Sequence, residues 1–112
     1  TLLSLAPKSA TAAASMEIAR GIGGIPSLTA CATVLTGIIG AVLGPAILDR
    51  CGVVSPAARG FALGTASHGI ATARAFSEGQ ATGSFSALAM MLNAVLTALL
   101  VPTLVACIGV SL

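Results

Sequence analysis

Charge and aromatic rings are what this sequence has least of. Of its 112 residues only 7% are charged and 3% aromatic, and it has no Trp and no Tyr. A soluble domain carries roughly 25% charged residues, so the polar coat of a water-facing surface is missing. With 56% apolar residues, a soluble fold would expose apolar patches beyond what monomers tolerate. A soluble enzyme, a nucleic-acid binder and a disordered tail are excluded, and a net charge of +2 is too small and too scattered to hold nucleic acid. Cysteine is sparse as well. Cys31, Cys51 and Cys107 form no CxxC and no Cys/His ligand spacing, and a free thiol in an apolar run packs as a small hydrophobe. No metal, cofactor or redox role is expected.

Long uncharged runs are present instead. The charges sit at Lys8, Glu17, Arg20, Asp49, Arg50, Arg59, Arg74 and Glu78, which leaves residues 21–48, 60–73 and 79–112 uncharged. A membrane span needs about 20 apolar residues at ~1.5 Å each. The first and third runs are long enough to cross; the second, which holds His68, is not. One transmembrane helix is expected over residues 25–48, with Pro26 in its first turn, where a missing N–H costs little. A second is expected over residues 83–109, with Pro102 near its end as Pro45 is in the first. A polar loop, residues 49–56, separates the halves. No stretch like a signal peptide precedes the first span. The chain reads as a piece of a longer protein, with further helices or partner subunits expected around it.

Each span follows a more polar, interrupted stretch. The first runs from Pro7-Lys8-Ser9 through Glu17 and Arg20 to Gly21-Ile22-Gly23-Gly24; the second runs from Gly64-Thr65-Ala66-Ser67-His68-Gly69 through Thr72 and Arg74 to Glu78-Gly79-Gln80. At an offset of 57 residues, about one half-chain, Ser27 falls on Ser84, Leu35 on Leu92, Ala41 on Ala98 and Pro45 on Pro102. Discontinuous segments in corresponding positions of two halves are the mark of a repeat-built transporter whose breaks meet near mid-membrane. The expected architecture is therefore an all-α membrane protein with two transmembrane helices and two broken or re-entrant helical segments, in repeat units of about residues 6–48 and 63–105. Crossing segments would make the repeats parallel and re-entrant ones would make them inverted; the short uncharged stretch around His68 favours re-entrance. Arg50 and Arg59 argue for a cytoplasmic loop, while Lys8 and Arg20 pull the other way.

Several residues could carry function. His68 is the only His, at a break inside a membrane segment, where ionisable groups are costly and tend to be functional. Thr65, Gly69 and Thr72 share its helical face, and a face of hydroxyls and one imidazole suits a small oxygen-rich solute. Lys8 and Arg74 are the candidates for neutralising an anion. Half-helix starts near Ser9 and Ser67 add exposed N–H groups. The competing reading pairs the charges within the protein: Arg74 with Glu78, Glu17 with Arg20, or Glu17 with Arg74 across the repeats. Gly37, Gly40 and Gly44 form a small-residue stripe that lets another helix approach closely. Thr36 and Asn93 coincide at the offset, and bonding across helices is the favoured reading for them. No enzyme constellation is present.

The motifs Pro7-Lys8-Ser9, Met16-Glu17-Ile18, Gly24-Ile25-Pro26-Ser27-Leu28-Thr29-Ala30, Leu35-Thr36-Gly37-Ile38-Ile39-Gly40 and above all Gly64-Thr65-Ala66-Ser67-His68-Gly69-Ile70-Ala71-Thr72-Ala73-Arg74-Ala75 resemble the LrgB/CidB family. The resemblance extends from Leu5 to about Pro102. It implies that residues 1–112 are the C-terminal membrane-embedded part of a protein about twice as long. Bacterial members of that family are described as antiholin-like or holin-like proteins that influence murein hydrolase activity and lysis. A plastid inner-envelope relative, fused to an LrgA-like module, is a glycolate/glycerate translocator, and some bacterial members are linked to pyruvate. Thr11-Ala12-Ala13 stands where two Thr and a Pro are usual, and Ala71 where a Gly is usual. The leading expectation is a carrier of small monocarboxylates such as glycolate, glycerate, lactate or pyruvate, coupled to a proton or cation. Lys8, Ser9, Thr11, Thr65, Ser67, His68, Gly69, Thr72 and Arg74 would line its site. The alternative is an oligomeric regulator of lysis. A homo-oligomer, surrounding lipid and an LrgA-like partner are expected, in a bacterial inner membrane or else a plastid envelope.

Overall fold

The computed structural model describes residues 2–109; the last residues of the uncharged run to Leu112 lie outside them. Among the described residues every element is helical: α1 (Leu2–Leu5), α2 (Ala12–Gly21), α3 (Pro26–Arg50), α4 (Pro56–Glu78) and α5 (Gln80–Ile108). α3 and α5 have 25 and 29 residues, with mean hydropathies of 2.1 and 2.2, and both are long enough to cross a bilayer. Their flanks expose Leu35, Ile39, Val42, Leu96 and Leu99, as a helix solvated by lipid does. Pro45 and Pro102 lie inside them, which membrane helices tolerate when neighbours satisfy the freed carbonyls.

Helix ends differ by a few residues from the sequence expectation. Asp49 and Arg50 belong to the last turn of α3, and α5 begins at Gln80. α4 starts at Pro56 because Ser55 caps it, accepting from the Ala58 N–H at 3.5 Å, and proline suits the first helical position.

α4 is a hairpin. Ser67 (φ −141°, ψ 18°) and His68 (φ 41°, ψ −131°) leave helical geometry. In a straight helix residues 19 apart would be separated by roughly 28 Å, yet Arg59 Nε donates to Glu78 Oε2 at 3.0 Å across that sequence distance. The arms, residues 56–66 and 69–78, therefore open at one mouth beside the end of α3. α1, the turn over residues 6–11 and α2 form a second hairpin whose mouth lies at the opposite end. There the Ser4 hydroxyl accepts from the Ile25 N–H at 2.7 Å, and the Thr29 hydroxyl donates to the Ser4 carbonyl at 2.6 Å, at the start of α3. Ten residues separate His68 from the Glu78 mouth, so the break sits roughly 15 Å deep, about half the thickness of a hydrocarbon core.

Packing relies on small residues. The buried set is mostly Ala19, Ala71, Ala75 and Ala89 with Ser4, Ser15, Thr29, Thr33, Thr82 and Ser86. Lipid tails give helices little hydrophobic reason to associate, so close backbone approach and hydroxyl bonds take over. The stripe expected on α3 seats the α4 hairpin: Gly40 faces the Ser67 side chain, a Cβ at Gly37 would stand 2.8 Å from Ile70 Cδ1, and one at Gly44 would stand 2.6 Å from Leu63 Cδ2. On the other side of the hairpin, Gly64 lies against the Ser86 carbonyl of α5.

The charges pair differently from two of the expectations. Glu78 binds Arg59, not Arg74, because the fold-back of α4 brings its first turn to its last. Arg59 also donates to Asp49 at 2.7 Å and to the Val53 carbonyl at 3.0 Å. Glu17 pairs with Arg20 on an exposed turn of α2, which leaves no bond across to Arg74. Arg59 and Glu78 side chains are only 13% and 16% exposed, against 62% and 70% for Arg20 and Glu17. Arg59→Ala is expected to cost about 2 kcal/mol by stranding a largely covered carboxylate, whereas Arg20→Ala leaves stability unchanged, since exposed pairs contribute little. Thermal unfolding of the full-length protein in detergent measures both.

Candidate functional site

Hydrocarbon offers no hydrogen bonds, so every backbone group exposed by an interrupted helix needs a protein or water partner. The two hairpin tips meet on one side chain that provides this. Asn93, halfway along α5, donates from Nδ2 to the Ser9 carbonyl at 2.6 Å and to the Thr65 carbonyl at 3.3 Å. Thr65 precedes the break, where a helix end leaves carbonyls short of intrahelical donors. Beyond the break, Thr72 Oγ1 lies 2.8 Å from the His68 carbonyl and 2.8 Å from Ser86 Oγ, which fixes the second arm to α5. The first tip is held by Ser15, whose hydroxyl donates to the Pro7 carbonyl at 2.6 Å, and by Thr11, the α2 N-cap, which accepts from the Ala14 N–H at 3.4 Å.

His68 carries the sharpest strain. Its φ of 41° is the only positive value at a non-glycine residue among those described, a conformation that costs on the order of 1–3 kcal/mol and collects at functional sites. A glycine follows at position 69, yet the imidazole-bearing residue takes the bend.

Between the tips lies a cavity of about 270 Å³ lined by Thr11 and Ala12 of the first hairpin, Thr33 and Val34 of α3, and His68, Gly69 and Ile70 of the second. Two of the lining residues carry a side-chain atom, Thr33 Oγ1 and His68 Nε2, that is buried without a hydrogen-bond partner. Thr33 is 0% and His68 4% exposed. Buried polar groups are nearly always bonded, so two unmatched atoms on neighbouring lining residues are chemically conspicuous.

The structure divides the residues singled out from sequence. Thr11, His68 and Gly69 line the cavity. Ser9 contributes its carbonyl to Asn93. Ser67 packs against Gly40 of α3 outside the cavity, where it borders an apolar groove of about 250 Å³ with Leu43 and Leu63. The Thr65 hydroxyl bonds back to the Phe61 carbonyl at 2.7 Å, and that of Thr72 is taken up as described. Lys8 is exposed on the turn, and Arg74 is exposed and donates to Ser77 Oγ at 2.8 Å. Neither cation is among the residues that line the cavity. Thr36 bonds within its own helix, to the Ala32 carbonyl, so only Asn93 of that matched pair reaches across helices. Thr33 escaped sequence reasoning, although its signal was available: it lies four residues before Gly37, on the face that the glycines turn towards α4.

Two spanning helices flanked by helical hairpins from opposite ends, with strained and polar groups enclosed where the tips meet, define an all-helical membrane protein. The chain belongs to the LrgB-like family, whose pattern matches residues 1–107. It is 38% identical over 94% of its length to the holin-like protein CidB of Staphylococcus epidermidis, covering 46% of that relative. It is 37% identical over 90% of its length to the uncharacterized protein YwbG of Bacillus subtilis, covering 45% of it. To CidB of Staphylococcus aureus it is 36% identical over 93% of its length, again covering 45% of the relative. The chain thus spans about half the length of the curated relatives it matches. No solved structure matches it.

Removing the Asn93 amide strands two carbonyls at once. Asn93→Leu is expected to destabilise the full-length protein by about 1–2 kcal/mol and to speed hydrogen exchange at both tips. Mass-spectrometric exchange on residues 6–11 and 65–70 checks this.

Proposed function

We propose that this chain forms part of a membrane transporter for small monocarboxylates, with the solute path running between the two hairpin tips. The observation that carries the reading is the Asn93 junction: two interrupted segments from opposite mouths meet halfway along a spanning helix, close to a cavity lined by Thr11, Thr33 and His68. Irregular backbone at membrane depth is tolerated where it lines a cavity, and repeat-built carriers put their sites there. On this reading the units of about residues 6–48 and 63–105 are inverted repeats, each a hairpin followed by a span. Their common site serves a solute of the glycolate, glycerate, lactate or pyruvate kind, in a bacterial inner membrane, with a proton or cation as the coupling ion. Assembly as a homo-oligomer, with an LrgA-like partner, belongs to the same proposal.

The names of the staphylococcal relatives favour a second reading, a holin-like regulator of lysis that acts by oligomerising in the membrane. Gly40 and Gly44 do not separate the two readings, because they seat the chain's own α4. Proteoliposomes of the full-length protein do separate them. Saturable uptake of labelled glycolate or lactate without release of a trapped fluorescent dye is the expected result, and His68→Ala is expected to reduce that uptake at least about tenfold. Dye release in step with uptake favours the holin-like reading. Uptake unchanged by His68→Ala removes the cavity from the path.

A further inference from the structure

The two hairpins are fastened to the spans unequally. At the mouth of the second, Arg59 donates from Nε to one oxygen of Glu78 and from Nη2 to the other, each at 3.0 Å. Its Nη1 serves Asp49 and the Val53 carbonyl. A two-pronged guanidinium–carboxylate contact is stronger and more directional than a single bond, and here it joins both arms to the end of α3. Deeper in, Gly60 lies against the Thr82 carbonyl, Gly64 against the Ser86 carbonyl and Gly83 against the Phe76 ring, so α4 and α5 touch at backbone distance. Thr72 and Ser86 bond beyond the break. The second hairpin is held at its mouth, along its arms and at its tip.

The first hairpin has no such lock. Its ion pair, Glu17 with Arg20, lies within α2 and in the open. Among the described residues, its hydrogen bonds to α3 and α5 occur only at its two ends. Ser4 meets Ile25 and Thr29 at the mouth, and the Ser9 carbonyl meets Asn93 at the tip. The side-chain bonds of α2 stay inside the hairpin, from Ser15 to Pro7 and from the Thr11 cap to Ala14. Three of the four residues at the junction of α2 with α3, Gly21, Gly23 and Gly24, are glycines. Gly23 has a φ of 83°, which glycine adopts at little cost. Hinges are short stretches at element ends that absorb large backbone changes, and residues 21–24 are such a stretch.

We infer that the first hairpin is a moving gate, turning about residues 21–24 and latched at its tip by Asn93, while the Arg59 clamp keeps the second hairpin fixed. Thr11 and Ala12 form one side of the cavity, with His68, Gly69 and Ile70 of the second hairpin also lining it, so lifting the first tip uncovers it. The latch is a single amide donor. Releasing the second hairpin takes the loss of the clamp and of the backbone packing as well. Asn93 also serves the Thr65 carbonyl, but Thr72 and Arg59 hold those arms without it. The inference rests on the transport reading only for what the opening admits; which hairpin moves stands apart from it.

Thiol labelling of the full-length protein in liposomes, with a water-soluble maleimide and with Cys31, Cys51 and Cys107 replaced by Ala, tests the gate. Ala10→Cys reports the first tip and Ala71→Cys the second hairpin; the parent residues are 1% and 0% exposed. Ser9→Cys and Ser67→Cys are a second pair of reporters, of nearly unchanged size. The first-hairpin thiol is expected to label faster than the second. Asn93→Leu is expected to speed it by about tenfold, the scale of one lost hydrogen bond, while the second-hairpin thiol stays within about twofold. Arg59→Ala does the reverse. Equal labelling of both hairpins, or an Asn93→Leu effect that is absent or the same at both, overturns the gate. Labelling of the expected pattern in a protein that moves no acid across liposomes leaves the gate standing and defeats the transport reading.

Discussion

The rule that no backbone polar group goes unpaired in hydrocarbon governs this molecule. An α-helix meets it automatically, whereas a helix interrupted halfway through the membrane does not. Both interruptions here are bought off locally by polar side chains of neighbouring elements. Asn93 serves the carbonyls of Ser9 and Thr65 together, Ser15 serves that of Pro7, and Thr72 joins the His68 carbonyl to Ser86. The position of these partners decides where the chain can bend. The tips therefore meet at Asn93 and not elsewhere along α5.

Side-chain size follows from the same constraint. To bring partners within hydrogen-bond reach, helices must approach more closely than Leu or Phe would allow, so alanine, glycine and hydroxyl residues occupy the contacts while the large apolar residues face outward. This inverts the usual arrangement of a soluble core and accounts for the sparse charge and high apolar content of the sequence. The strongly paired charges are kept to the hairpin mouth, where Arg59 gathers Glu78, Asp49 and the Val53 carbonyl and so holds the two arms of α4 together at their ends.

Against that well-satisfied background Thr33 Oγ1 and His68 Nε2 stand out as exceptions, on two residues that line the cavity bounded by both tips. The strain at His68 belongs with them: the bend falls on the imidazole although Gly69 could have taken it at less cost.

The amino-acid order by itself determined that the chain is a helical membrane protein with two spans, that His68 lies at a break and that Gly37, Gly40 and Gly44 receive another segment. Hydropathy, proline and glycine positions and charge spacing are local properties, so they can be read without knowing what lies opposite. Which charges pair, which hydroxyls are already used and which polar atoms remain free were decided only by the fold. Glu78 could not be assigned to Arg59 before α4 was seen to double back, and the spacing of Thr33 to Gly37 gives its face on α3 but not whether its hydroxyl finds a partner. Pairing depends on distance across the bundle, and the turn at Ser67 and His68 brings together residues that a straight helix would have kept a membrane's thickness apart.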